Sequence, residues 1–167
     1  MIGSVTEQSL SSGNRLPLLL EPELQQVRDA LEAQEDEAAV AALRAVMHGN
    51  GRFSGVCPEC NYLLGTIEER RGTTAAAVAA FELAAGAAWP LRDDAVIHLV
   101  RLALTGGQCE SASKRLDSLG PSPLGQSVVV SELRARVELC SGNGARAVQR
   151  LRQLVASSEQ VGLAPLR

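Results

Sequence analysis

The chain has 167 residues and a formal net charge of −3, a size that fits one domain or a single stack of about four to five helical hairpins. The slightly acidic balance gives no global drive toward nucleic acid or an anionic membrane surface. Hydrophobic residues make up 46% of the chain but aromatics only 2%, so the apolar mass is Ala, Leu and Val, which suits closely packed helices better than a β-sandwich.

The N-terminal stretch Met1 to Asn14 is polar and Ser-rich, with neither a basic start nor an apolar core of signal-peptide length, so a secretory leader is not expected. No stretch approaches the roughly 18–20 apolar residues of a membrane span, and the expected location is cytoplasmic. Residues 1–19 are expected to be disordered or extended. Pro22 then opens a helix over Glu23–Gln34 with carboxylates in its first turn. Glu35-Asp36-Glu37 reads as a polar turn, and Ala38–Met47 as a second helix stopped by Gly49-Asn50-Gly51.

After a glycine-rich loop, Pro58 begins a helix running to Arg71. Gly72 ends it, Thr73 or Thr74 caps the next, and that helix runs to about Ala88 before Trp89-Pro90. Further helices are expected over Asp93–Leu104 and Glu110–Leu119, parted by Gly106-Gly107 and followed by the breaker Gly120-Pro121-Ser122-Pro123. A last pair, Gln126–Leu139 and Ala145–Ser157, flanks Ser141-Gly142-Asn143-Gly144. Val128-Val129-Val130 favours a strand locally, but the periodic frame argues for helix. Residues 158–167 form a tail.

Gly72, Gly107 and Gly142 stand 35 residues apart, and the same spacing links Ala77, Ala112 and Ala147, then Phe81, Leu116 and Leu151, then Ala84, Leu119 and Leu154. A fixed period of about 20–50 residues signals stacked repeats, each unable to bury its apolar face alone. The unit Asn61-Tyr62-Leu63-Leu64-Gly65, then Gly72, Ala77, Phe81, Ala84 and Trp89-Pro90, resembles the tetratricopeptide repeat. In that family a Leu-Gly pair lies midway along a first helix, a glycine ends it, and alanines flanking an aromatic line the second. The next unit keeps Leu99, Val100, Ala103, Gly107, Ala112, Leu116, Leu119 and Pro123. The fourth keeps Ala135, Gly142, Ala147, Leu151 and Leu154 but has Arg134 where the family has leucine. A degenerate first unit aligns through Val27, Ala30, Ala39, Leu43 and Val46, with Gln34 in place of the turn glycine. The resemblance covers about residues 20–157 and implies an all-α, right-handed superhelix of about four antiparallel helix pairs, with the departures in the first and last units expected of ends.

The resemblance further implies a concave groove lined by the first helix of each pair. Its candidate partner-binding residues are Arg28 and Leu31 in the first unit, and Tyr62, Leu63, Thr66 and Arg70 in the second. The third supplies Ile97, His98, Arg101 and Leu104, and the fourth Leu133, Arg136 and Leu139. In this register Arg28, Arg101 and Arg136 form a row beside Leu31, Leu104 and Leu139. Such a strip suits an acidic peptide or amphipathic helix with leucine-type anchors. The bland alternative is a solvated arginine face over partly buried leucines, in a chain whose 16 basic residues include Lys114 as the sole lysine.

Catalysis has little support, for there is no nucleotide-binding loop, nucleophile elbow or HExxH motif; Glu68-Glu69 reads as a solvated or groove edge. Cys57 and Cys60 make a CxxC, but a zinc site usually takes two such pairs or closely spaced histidines, which His48 and His98 are not. Cys109 and Cys140 are far apart in sequence, and all four cysteines are taken as structural or incidental. The functional expectation is a non-enzymatic adaptor or scaffold with no cofactor and no metal. A small bacterial secretion chaperone with a helical client, or a zinc- or redox-dependent protein using Cys57 and Cys60, remain as alternatives. The acidic Glu21–Glu37 and basic Arg134–Arg152 stretches leave self-association open.

Overall fold

The computed structural model describes residues 22–49, 57–120 and 127–162, with side chains as far as Ala156. Among these residues it is all-helical, with no strand. After a 3-10 turn over Pro22–Leu24 come α1 (Gln25–Glu32), α2 (Asp36–His48), α3 (Pro58–Arg70) and α4 (Thr74–Ala85). They are followed by α5 (Arg92–Thr105), α6 (Cys109–Asp117), α7 (Val128–Cys140) and α8 (Gly144–Gly162). The expectations for residues 1–19, the loop at 50–56 and the Pro121–Pro123 breaker lie outside the described residues.

Several boundaries differ from the sequence reading for identifiable reasons. Asp36 and Glu37 belong to the first turn of α2 rather than to a turn, where their carboxylates face the positive end of the helix dipole. The valine run at 128–130 is helical because the Ser127 side chain accepts a hydrogen bond from the Val130 N–H at 3.3 Å. A cap of that kind outweighs a weak local strand preference. Helix α8 continues to Gly162, past the expected end at Ser157.

The hairpin turns repeat atom for atom. Gly72, Gly107 and Gly142 adopt φ of +76°, +70° and +79°, the left-handed conformation that glycine enters without a Cβ penalty. At each, the next residue donates back across the helix end: Thr73 N–H to Glu68 O at 2.9 Å, Gln108 N–H to Ala103 O at 2.8 Å and Asn143 N–H to Glu138 O at 2.7 Å. The first hairpin makes the same turn with Gln34 at φ +59° and Glu35 N–H donating to Ala30 O at 2.8 Å. Gln34 therefore does occupy the turn-glycine position, in a conformation that costs a non-glycine residue about 1–2 kcal/mol.

The chain divides into two compact units, Met1–Ala84 and Ala85–Arg167. In the first, Leu24, Val27, Ala39, Leu43, Cys60, Leu63 and Ile67 form a buried core shared by α1, α2 and α3. Helix α4 contributes Ala77, Phe81 and Ala84, all fully buried. Gly65 lets α3 and α4 approach: a Cβ built there would lie 2.8 Å from the Phe81 ring. Tyr62 meets the same ring edge-on, with centroids 5.8 Å apart. In the second unit Val96, Ile97, Val100, Ala112, Leu116, Leu119, Val130, Leu133 and Val137 make the core between α5, α6 and α7, and α8 packs on α7.

Candidate functional site

The second unit carries the sequence-derived strip on two neighbouring helices. Helix α5 packs against both α6 and α7, so Arg101 and Leu104 on α5 have their repeat equivalents, Arg136 and Leu139, on an adjacent element. Both arginines are exposed, Leu104 is half-buried against the core and Leu139 is 53% exposed. Arg136 donates to Glu132 one turn earlier at 2.6 Å. Ile97 and Leu133 point inward and belong to the core, so of the strip residues on these helices the arginines, Leu139 and the half-buried His98 meet solvent most.

Asp94, His98 and Arg101 recur at i, i+4 and i+7 on α5, one face of the helix. Partial burial raises the Asp94 pKa above its ordinary value, while the neighbouring His98 and Arg101 charges pull it back down and Asp93 adds to the rise. This face can offer a carboxylate, an imidazole and a guanidinium to a polar partner.

In the first unit the strip is less available. Leu63 is buried and Leu31 packs partly against the same core. Thr66 donates its hydroxyl to the Leu63 carbonyl at 2.7 Å, and Arg28 is half-buried. Arg70 turns to α2, where its Nε donates to Asp36 Oδ2 at 2.8 Å and a second guanidinium nitrogen bonds Oδ1. This bidentate pair joins α3 to α2 and employs Arg70 as a structural tie.

Glu68 corrects the sequence reading most clearly. Instead of a solvated edge, it is 1% exposed. Arg44 of α2 donates to its Oε1 at 2.9 Å and Arg71 to its Oε2 at 2.7 Å, while the Thr73 hydroxyl bonds Oε2 and also the Glu68 carbonyl at 2.8 Å. A buried carboxylate needs this full set of donors to offset its lost hydration. Its chemistry is that of a brace between α2 and the α3–α4 turn.

The four cysteines form two disulfides, Cys57–Cys60 and Cys109–Cys140. Cys57 caps α3, its sulfur accepting from the Cys60 N–H at 3.2 Å, and both half-cystines are buried in the first core. In this oxidised form neither sulfur offers a thiolate to a metal. Among the described residues no group of three or more His, Cys, Asp and Glu side chains could hold a metal ion. Cys109 and Cys140, far apart in sequence, tie the start of α6 to the end of α7. The repeat held the signal for this pairing: one cysteine lies two residues after Gly107 and the other two before Gly142, and equivalent turns of stacked hairpins fall at the same end.

Among the described residues no helix is long and apolar enough to cross a membrane. No protein-family model matches the chain, and no curated protein or solved structure matches it significantly.

Proposed function

We propose that this protein is a non-enzymatic interaction module whose hairpins stack as a tetratricopeptide-like right-handed superhelix and whose first helices bind an acidic peptide or amphipathic helix. The observation that carries the reading is the repeat-equivalent set Arg101, Leu104, Arg136 and Leu139 on the packed helices α5 and α7. Guanidinium groups there meet carboxylates of the ligand, and Leu139 supplies an exposed apolar contact. Within the first unit Arg28, Leu31 and Tyr62 hold groove positions of the same repeat frame. The test is a pull-down comparing wild type with the double variant Arg101→Glu/Arg136→Glu: loss of partners supports the strip, and recovery of the same partners by both proteins rejects it.

The sequence reading gives a cytoplasmic location, whereas two disulfides favour an oxidising compartment, because glutathione and thioredoxin keep cytosolic thiols reduced. Quantifying free thiols in protein alkylated at the moment of lysis separates the two: four reactive thiols per chain support the cytoplasm, and none supports an oxidising compartment.

A further inference from the structure

The second helices of the last three hairpins start in register, at Thr74, Cys109 and Gly144, so their positions can be compared directly. Phe81 on α4 and Leu116 on α6 are 0% and 1% exposed, but their equivalent on α8, Leu151, is 39% exposed. Leu116 is covered because α7 packs over α6 and brings Val130, Leu133 and Val137 into the shared core. On α8, Val148 and Val155 flank Leu151 at i−3 and i+4 and are exposed as well. With Arg152 and Ala156 they line a shallow apolar depression.

The rim of this depression has the opposite charge from its internal counterparts. The position occupied by Glu82 on α4 and Asp117 on α6 is Arg152 on α8. Among the described residues no hydrogen bond or ion pair engages Arg152. A symmetric pairing of two α8 helices about Leu151 would bring Arg152 toward its own copy, and like charges facing each other across an interface disfavour such a dimer.

We propose that the Val148–Leu151–Val155 face of α8 is a docking site for an amphipathic helix of another protein, one that presents apolar residues at i, i+3 and i+7, as α7 does to α6, and an acidic residue at its edge to meet Arg152. The face is separate from the arginine–leucine strip of α5 and α7, and the inference does not rest on that strip.

The experiment titrates the full chain against two helix-stabilised synthetic peptides carrying Leu at i, i+3 and i+7, identical except for a flanking Glu or Lys, with binding read by fluorescence anisotropy. The Glu peptide binds wild type about 3-fold tighter than the Lys peptide, the size of one exposed ion pair. Arg152→Glu reverses that order, and Leu151→Asp weakens the Glu peptide at least about 10-fold through loss of apolar burial. Because both positions are solvent-exposed, circular dichroism of the variants stays that of wild type. Equal affinity for the two peptides, binding by neither, or indifference to Leu151→Asp overturns the proposal. Sedimentation that finds a dimer dissolved by Leu151→Asp overturns it too, by assigning the face to a second copy.

Discussion

The two units are built from the same hairpin and secured in different ways. The first places its decisive polar group inside: Glu68 is buried among Arg44, Arg71 and Thr73, and the Cys57–Cys60 bond, spanning three residues, lies in the core at the other end of α3. The second works at its surface, with a bond between Cys109 and Cys140, 31 residues apart in sequence, and Arg150 of α8 donating to Glu138 of α7 at 2.8 Å. Exposure differs in the same sense. Among the described residues Leu83 is the large apolar side chain exposed in the first unit, whereas the second exposes Val128, Val129, Leu139, Val148, Leu151 and Val155. Equivalent positions thus serve as core in one hairpin and as open surface in another, depending on whether a following helix covers them.

The sharpest break in this comparison comes from one repeat position tested twice. Phe81→Ala should cost about 3–5 kcal/mol of unfolding free energy, because it empties a fully buried site beside Gly65 and Tyr62. Leu151→Ala at the equivalent exposed site should cost about 1 kcal/mol or less. Denaturant melts of the two variants check the contrast, and similar losses would mean that α8 is covered in solution.

Next comes the surface tie. Replacing Cys109 and Cys140 together with alanine should lower the stability of the second unit by about 3–4 kcal/mol, the chain-entropy value for a loop of this length. Dithiothreitol should lower the melting temperature of wild type by more than that of the variant, which keeps only the Cys57–Cys60 bond to lose. The internal brace should rank close behind. Glu68→Ala takes a charged acceptor away from Arg44, Arg71 and Thr73 and should cost about 1–3 kcal/mol, with hydrogen exchange rising first at the α3–α4 turn.

Turn chemistry should give smaller and opposite effects. Gln34→Gly relieves a left-handed non-glycine and should stabilise the first hairpin by about 1 kcal/mol, while Gly72→Ala should destabilise the next by a similar amount. No atom lies within 4 Å of a Cβ built at Gly72, so the effect is conformational and not steric. Smallest is the Asp94 titration. Burial raises its pKa in the folded chain, so the folded state holds the proton more tightly and stability falls as pH rises above the ordinary aspartate value near 4. Asp94→Asn should therefore be more stable than wild type at pH 7 and equal to it at pH 3, measured by paired thermal melts.

Much of this was legible in the chain itself. The 35-residue spacing gave the helices, their turns and the identity of Ala77, Phe81, Ala112 and Leu116 as inward-facing residues, since glycine's left-handed freedom and helical periodicity are local properties. Gln34 was legible as a turn residue by alignment alone. Leu151 was not legible as exposed, because it holds the same repeat position as buried Leu116, and among the described residues no helix packs over it as α7 packs over Leu116.

The site divides along the same line. Arg101 and Arg136 could be set in one register from spacing, whereas the engagement of Arg70 by Asp36 could not. Glu68 and Glu69 are adjacent acidic residues with no local feature to separate them, yet two arginines reaching in from α2 and the following turn bury one and leave the other half-exposed. By itself the sequence determined an all-helical repeat and its inward-facing residues, because these follow from backbone conformation and side-chain period. Tertiary structure alone decided which charged groups are braces and which apolar positions are covered, because each depends on partners brought together from distant parts of the chain.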